Sequence, residues 1–203
     1  MKEYIAKKAA SPLLINDARW EKAEYAALDC VWEGVASPYE TKAQLIHTDD
    51  GITVRLLTNE WPLEITAMKP NESVCIDSCL EFFFIPNTDD EKYINVEMNP
   101  VGTSLVCIGP GRAARERLDF FSDIKVQTLI EPMRGWTVML HIPYSFLLKH
   151  YSHCDKVIRA NFYKCGNNTV IPHYCTWNKV ETPAPDYHRP EFFGKIILSD
   201  DEI

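Results

Sequence analysis

The chain has 203 residues, 46% apolar and 25% charged, and its 29 acidic residues against 21 Lys plus Arg leave a formal net charge of −8. That length and apolar fraction predict one globular domain, residues 1–203, with a sizeable core. No run approaches the ~20 apolar residues of a membrane helix, and scattered basic residues in an acidic chain disfavour a nucleic-acid partner.

Chain order begins with Met1-Lys2-Glu3-Tyr4, which lacks the apolar stretch of a secretory leader. With seven cysteines, an odd number, this predicts reduced thiols and a cytoplasmic protein by default. Asp17 reads as an N-cap for a short helical segment, Ala18 to Ala23, that packs Trp20 onto one end of the fold. Short runs of period two then recur: Ala43 to His47, Ile52 to Thr58, Cys79 to Ile85, Tyr93 to Asn99, Ser104 to Ile108, Lys125 to Ile130, Gly135 to Ile142 and Val157 to Lys164. Each predicts a strand of ~5–9 residues. Turn residues such as Asp49-Asp50-Gly51, Asn99-Pro100-Val101-Gly102 and Met133-Arg134-Gly135 separate them. Pro143 to His150 is the best helix signal, at most two turns long. The expected class is all-β, an antiparallel, jelly-roll-like β-sandwich with few short helices.

Strand parity sorts the side chains into faces. Leu80, Phe82 and Phe84 form an apolar face, and Glu81 lies on the other with Cys79, Phe83 and Ile85. Glu81 is therefore expected to be partly buried, with an Arg or Lys of a neighbouring strand as its partner. Asn95, Glu97 and Asn99 oppose Ile94, Val96 and Met98, and Arg159, Asn161 and Tyr163 oppose Ile158, Ala160 and Phe162. Such planar polar groups suit a polyhydroxylated ligand, because each directs two hydrogen bonds at adjacent hydroxyls; a solvated outer face reads the same way. Trp136 alternates with Val138, Leu140 and Ile142 and is a core residue, whereas Trp61 and Trp177 stand in polar, loop-like surroundings and are candidates for exposed stacking platforms.

Other chemistry finds less support. Gly109-Pro110-Gly111-Arg112-Ala113-Ala114 mimics a nucleotide-binding loop, but neither a long helix nor a βαβ pattern follows. It reads as a tight turn, with Arg112, Arg115 and Arg117 on a solvated loop able to touch an anionic group. The cysteine spacing is not that of a zinc site, and the histidines make no His-Glu-x-x-His pattern. Asp89 and Asp90, in an acidic turn, are the local candidates for calcium. A hydrolase reading would use Glu81 and Glu97 as the carboxylate pair.

The ordered set Asp77 to Phe84, Tyr93 to Thr103, Gly135 to Pro143, Trp177, and Phe193 to Leu198 resembles the family-9 carbohydrate-binding modules and their stand-alone relatives. The likeness begins near Asp17 to Trp20 and spans most of the chain. It implies a β-sandwich that grips a terminal sugar between aromatic rings and binds without cleaving, in a family commonly attached to glycoside hydrolases. Glu81 falls at the glutamate that bonds sugar hydroxyls, Trp177 at the second aromatic of the clamp, and Asn95 and Asn161 near further polar contacts. Asn71 to Ile76 lacks the first clamp tryptophan, for which Trp61 is the substitute at hand. The expected site is thus Trp177 and Trp61 stacking on a mono- or oligosaccharide, with Glu81, Asn95, Arg159 and Asn161 bonding its hydroxyls. Two other readings stand beside it: the hydrolase, and a protein-binding sandwich that uses the tail Thr182 to Pro190, a segment that otherwise reads as an ordered loop packing across the sheet end.

Overall fold

In the computed structural model, which describes residues 1–120 and 122–203, all eight predicted runs are strands, matching within two residues at either end. In chain order the strands are β1 (Glu3–Lys8), β2 (Ala26–Ala27), β3 (Cys30–Val31), β4 (Thr41–His47), β5 (Gly51–Thr58), β6 (Cys79–Ile85), β7 (Tyr93–Met98), β8 (Ser104–Gly109), β9 (Glu116–Arg117), β10 (Lys125–Glu131), β11 (Gly135–Pro143), β12 (Val157–Gly166), β13 (His173–Thr176) and β14 (Gly194–Glu202). A single short α-helix among the described residues, α1 (Tyr144–Leu147), follows Pro143 and buries Phe146 and Leu147. Among the described residues no helix is long and apolar enough to cross a membrane.

Local chemistry explains the turns. Asp17 accepts a hydrogen bond from the Arg19 amide at 2.9 Å and starts the 3₁₀ turn Ala18–Lys22, which buries Trp20. Between β10 and β11 the backbone needs φ +124° at Gly135, where a Cβ would run into the Thr58 carbonyl, so only glycine fits.

Eleven of the strands form one hydrogen-bonded path, β10-β11-β5-β4-β1-β14-β12-β6-β7-β8-β9, with β13 joined to β12 and β3, and β2 to β4. The path curls on itself, so Leu45, Val54, Leu56, Val138 and Leu140 of one half share a core with Phe82, Phe84, Ile94, Val96 and Phe162 of the other. Neighbours along the chain pair as antiparallel hairpins, but β1 runs parallel to both β4 and β14. β1 escaped the periodicity reading because only Tyr4 and Ala6 of its residues are buried, between charged or half-exposed neighbours.

One charged pair lies inside this core. Lys164 falls on the inner parity of β12, fully buried, with its Nζ 3.0 Å from Glu60 Oε2. Glu60 also accepts from the Trp136 indole at 3.0 Å and from the Ser78 hydroxyl at 2.9 Å. A charge buried at this depth survives only with such a set of partners.

The opposite parity of β6, β7, β8 and β12 feeds a second cluster, in which Phe83, Tyr93, Tyr163 and Cys165 pack under Trp32, Val74, Tyr187 and Phe193 from the loops. The tail Thr182 to Pro190 lies across this face, tied down by the Tyr187 hydroxyl donating to the Lys164 carbonyl at 2.7 Å.

Candidate ligand-binding site

The loops do not cover that face completely, and a cavity of about 600 Å³ opens over β6, β7 and β8. The β6–β7 register sets Glu81 opposite Glu97, and both rise with Leu105, Cys107 and Cys165 as the floor. One wall is the loop carrying Arg112, Arg115 and Arg117; the other is built by Val35, Tyr174, Pro185, Tyr187 and His188. Ser73, Cys75 and Asn167 complete the lining.

Glu81 is 2% exposed, and the expected Arg or Lys partner is absent: its cross-strand neighbours are Glu97 and Tyr163. Its Oε1 instead accepts from Cys165 Sγ at 3.0 Å and Cys79 Sγ at 3.8 Å. Burial first, then the adjacent Glu97 charge, push its pKa up to about 8. Burial raises Glu97 as well, but Arg115 opposes the rise, with Nη1 3.5 Å from Glu97 Oε1, and Asn95 donates to the same oxygen at 3.0 Å. Arg115 and Asn95 favour the charge of the pair on Glu97 and leave Glu81, bonded only by thiols, the better place for a proton. The floor presents two carboxyl groups with unlike surroundings side by side.

His188 sits at the rim with Nδ1 2.7 Å from the Tyr93 hydroxyl, and burial, then Arg115 and Arg112, drive its pKa down to about 3, so it is neutral. Arg112 donates to Asp186 at 2.9 Å and ties the arginine loop to the tail. Arg117 is exposed and has no ion-pair partner among the described residues. Tyr187 is stacked on Tyr163 at 4.2 Å, which leaves the half-buried ring of Tyr174 as the aromatic face most open to a ligand.

The expected residues divide sharply. Glu81 is on the floor, and Asn95 is buried beside it, bonded to Glu97 and Arg115. Trp177 is not a platform: it is 3% exposed, its ring centroid 5.6 Å from that of Phe162 and its edge against Gly194, because its parity beyond β13 turns it into the core. Asn161 is also no ligand. It is fully buried and clasps the Asn178 backbone, donating to its carbonyl at 2.8 Å and accepting from its amide at 2.8 Å. Arg159 donates to the Pro190 carbonyl and does not line the cavity. Trp61 is 37% exposed, as its loop context predicted, yet it stands outside the lining.

Asp89 and Asp90 lie in the β6–β7 turn, where Asp90 accepts from the Lys92 amide at 2.9 Å. Among the described residues no third acidic, His or Cys donor joins them; the one such cluster is Cys79, Glu81 and Cys165, within 4.8 Å of one another. Two thiols and a carboxylate suit a thiophilic ion better than calcium. Burial pushes the Cys79 thiol up to about 12, and the bond with Cys79, then burial, raise Cys165, so any ion has two thiol protons to displace. Sequence reasoning missed Tyr187 and His188 as lining residues because a tail that folds back over a sheet leaves no periodic signal, and missed Tyr174 and Cys165 because they stand on a four-residue strand and at the end of β12, past the predicted run.

The family described as Carbohydrate-binding family 9 matches residues 11–198. A candidate carbohydrate-binding protein from Bacteroides uniformis ATCC 8492 superposes with a TM-score of 0.85 at 25% identity, covering 98% of this chain and 99% of that one. A family-9 module from Caldicellulosiruptor kristjanssonii, solved with glucose, gives 0.72 at 14% identity over 99% and 97%, and the same module with cellotriose gives 0.71 at 14% over 99% and 95%. No curated protein matches.

Proposed function

Because the chain belongs to carbohydrate-binding family 9, we propose that it binds a mono- or short oligosaccharide, without cleaving it, in the cavity over β6, β7 and β8. The observation that carries this reading is the floor: Glu81 and Glu97 stand opposite each other across β6 and β7, with Arg115 3.5 Å from Glu97, and so set hydrogen-bonding groups side by side for adjacent hydroxyls. The volume, about 600 Å³, suits a ligand of one or a few rings. Tyr174 supplies the aromatic face on which a sugar ring rests, in place of the tryptophans expected from the sequence. The glucose and cellotriose held by the Caldicellulosiruptor module support a ligand of this class.

The hydrolase reading is less well supported. Glu81 and Glu97 are cross-strand neighbours on one floor, whereas hydrolysis requires the scissile bond to lie between its two carboxyls. The tail Thr182 to Pro190 builds a cavity wall and supports ligand enclosure more than a protein-docking role.

The test is a melting curve with glucose, cellotriose and a panel of other neutral and acidic sugars, since a ligand that binds only the folded state raises stability by RT ln(1 + [L]/Kd). One sugar class should shift the transition, and Tyr174→Ala should weaken its binding about tenfold, the scale of one lost aromatic contact. No shift with any sugar at ~100 mM would overturn the proposal, because a Kd beyond that range corresponds to under ~2 kcal/mol of binding.

A further inference from the structure

The carbohydrate-binding reading leaves one charge in the cavity without a task. The chain as a whole carries −8, yet Arg112, Arg115 and Arg117 crowd into six residues and all line this cavity. Arg115 is committed to Glu97 and Asn95, and Arg112 to Asp186. His188 is neutral, and burial favours a proton on Glu81 in place of a second floor charge. Arg117 is left over. Its place is set by the β8–β9 pairing, which puts it opposite Cys107, a floor residue, and so on the cavity side of the ribbon.

From this geometry we infer that the natural ligand is an acidic sugar, a glycuronate, whose ring hydroxyls meet Glu81 and Glu97 while its carboxylate docks on the Arg117 guanidinium, with Arg112 beside it. The inference rests on the carbohydrate-binding reading and adds the class of sugar. A guanidinium fork can donate to neutral hydroxyls, but a carboxylate matches its planar, two-pronged geometry and also meets its charge. One uncompensated positive charge suits one carboxylate, and an exposed Arg at the rim gains most from a ligand that partly covers it and thins the screening water.

The experiment is calorimetric titration of glucuronic acid, galacturonic acid, methyl glucuronate ester and glucose. The ester keeps the ring and removes the charge. At least one of the two acids should bind about tenfold more tightly than the ester, on the scale of a charge-assisted hydrogen bond, and this preference should shrink as salt rises from 20 to 200 mM, in the manner of a partly exposed ion pair. In Arg117→Ala the ratio of acid to ester affinity should fall towards one, and Arg117→Lys should restore part of it. Arg117 is exposed, so both variants should melt as the parent does. Glucose and the ester binding as tightly as the acids would overturn the inference while leaving the carbohydrate-binding reading intact. A preference for acid that survives Arg117→Ala would overturn the assignment to this residue. Failure of all four sugars, and of every neutral oligosaccharide, would overturn both.

Discussion

Tyr174 and Trp177 are three positions apart, and the alternation of an extended chain sends them to opposite faces, Tyr174 to the cavity and Trp177 to the core. The surroundings of Trp177 in sequence, Thr176 and Asn178, are polar, but both are themselves buried, so local polarity misreports the exposure of the indole. Trp177→Ala should therefore cost stability: about 3–5 kcal/mol by urea denaturation, the range for removing a large buried aromatic. Its folded fraction should retain sugar affinity. A variant with unchanged midpoint and abolished binding would return Trp177 to the ligand. Asn161 teaches the same lesson, since a planar amide able to bind two hydroxyls is equally suited to clasp the backbone N–H and C=O of one residue, as it does at Asn178.

At the scale of elements, the alternating runs were legible because β4, β5 and β11 send every second, apolar side chain into the main core while turn residues stop each run sharply. β1 and β13 were not: β1 buries only Tyr4 and Ala6 and pairs with strands distant in sequence, and β13 has only four residues. The β6–β7 hairpin has a consequence that alternation alone could not disclose, namely that its register places Glu81 against Glu97. The native Glu81 pKa of about 8 exceeds the ordinary 4.5. Between these values the folded chain keeps a proton that the unfolded chain has released, so this group's contribution to stability falls as pH rises from about 4.5 to about 8 and is level above. His188, with its pKa lowered to about 3 from 6.5, has the opposite slope over about pH 3–6.5, and comparison with Glu81→Gln cancels it. Unfolding free energies measured at pH 5 and 8.5 should drop more in the parent than in Glu81→Gln. An equal drop would mean that Glu81 is ionised at neutral pH.

At the scale of the whole molecule, Glu60 and Lys164 join a loop to β12 and, through Trp136 and Ser78, bring both halves of the curled sheet to one buried point. Lys164→Met should destabilise by about 3–5 kcal/mol, because it strands a buried carboxylate. Adding Glu60→Gln should recover more than 1 kcal/mol, since the neutral amide no longer needs the ammonium and still accepts from the indole, on the scale typical of coupled neighbours. Additive losses in the double-mutant cycle would show that the pair is not coupled.

The class and the positions of the alternating strands were determined by the sequence itself, because alternation, turn chemistry and the order of motifs are local properties that survive in a string of letters. Which tryptophan faces solvent, which carboxylate faces Glu81 and which charges line the cavity were decided only by the tertiary structure. They depend on strand register and on a tail folded back across the sheet, and both are set by contacts between residues dozens of positions apart, as between Cys79 and Cys165 or Arg112 and Asp186.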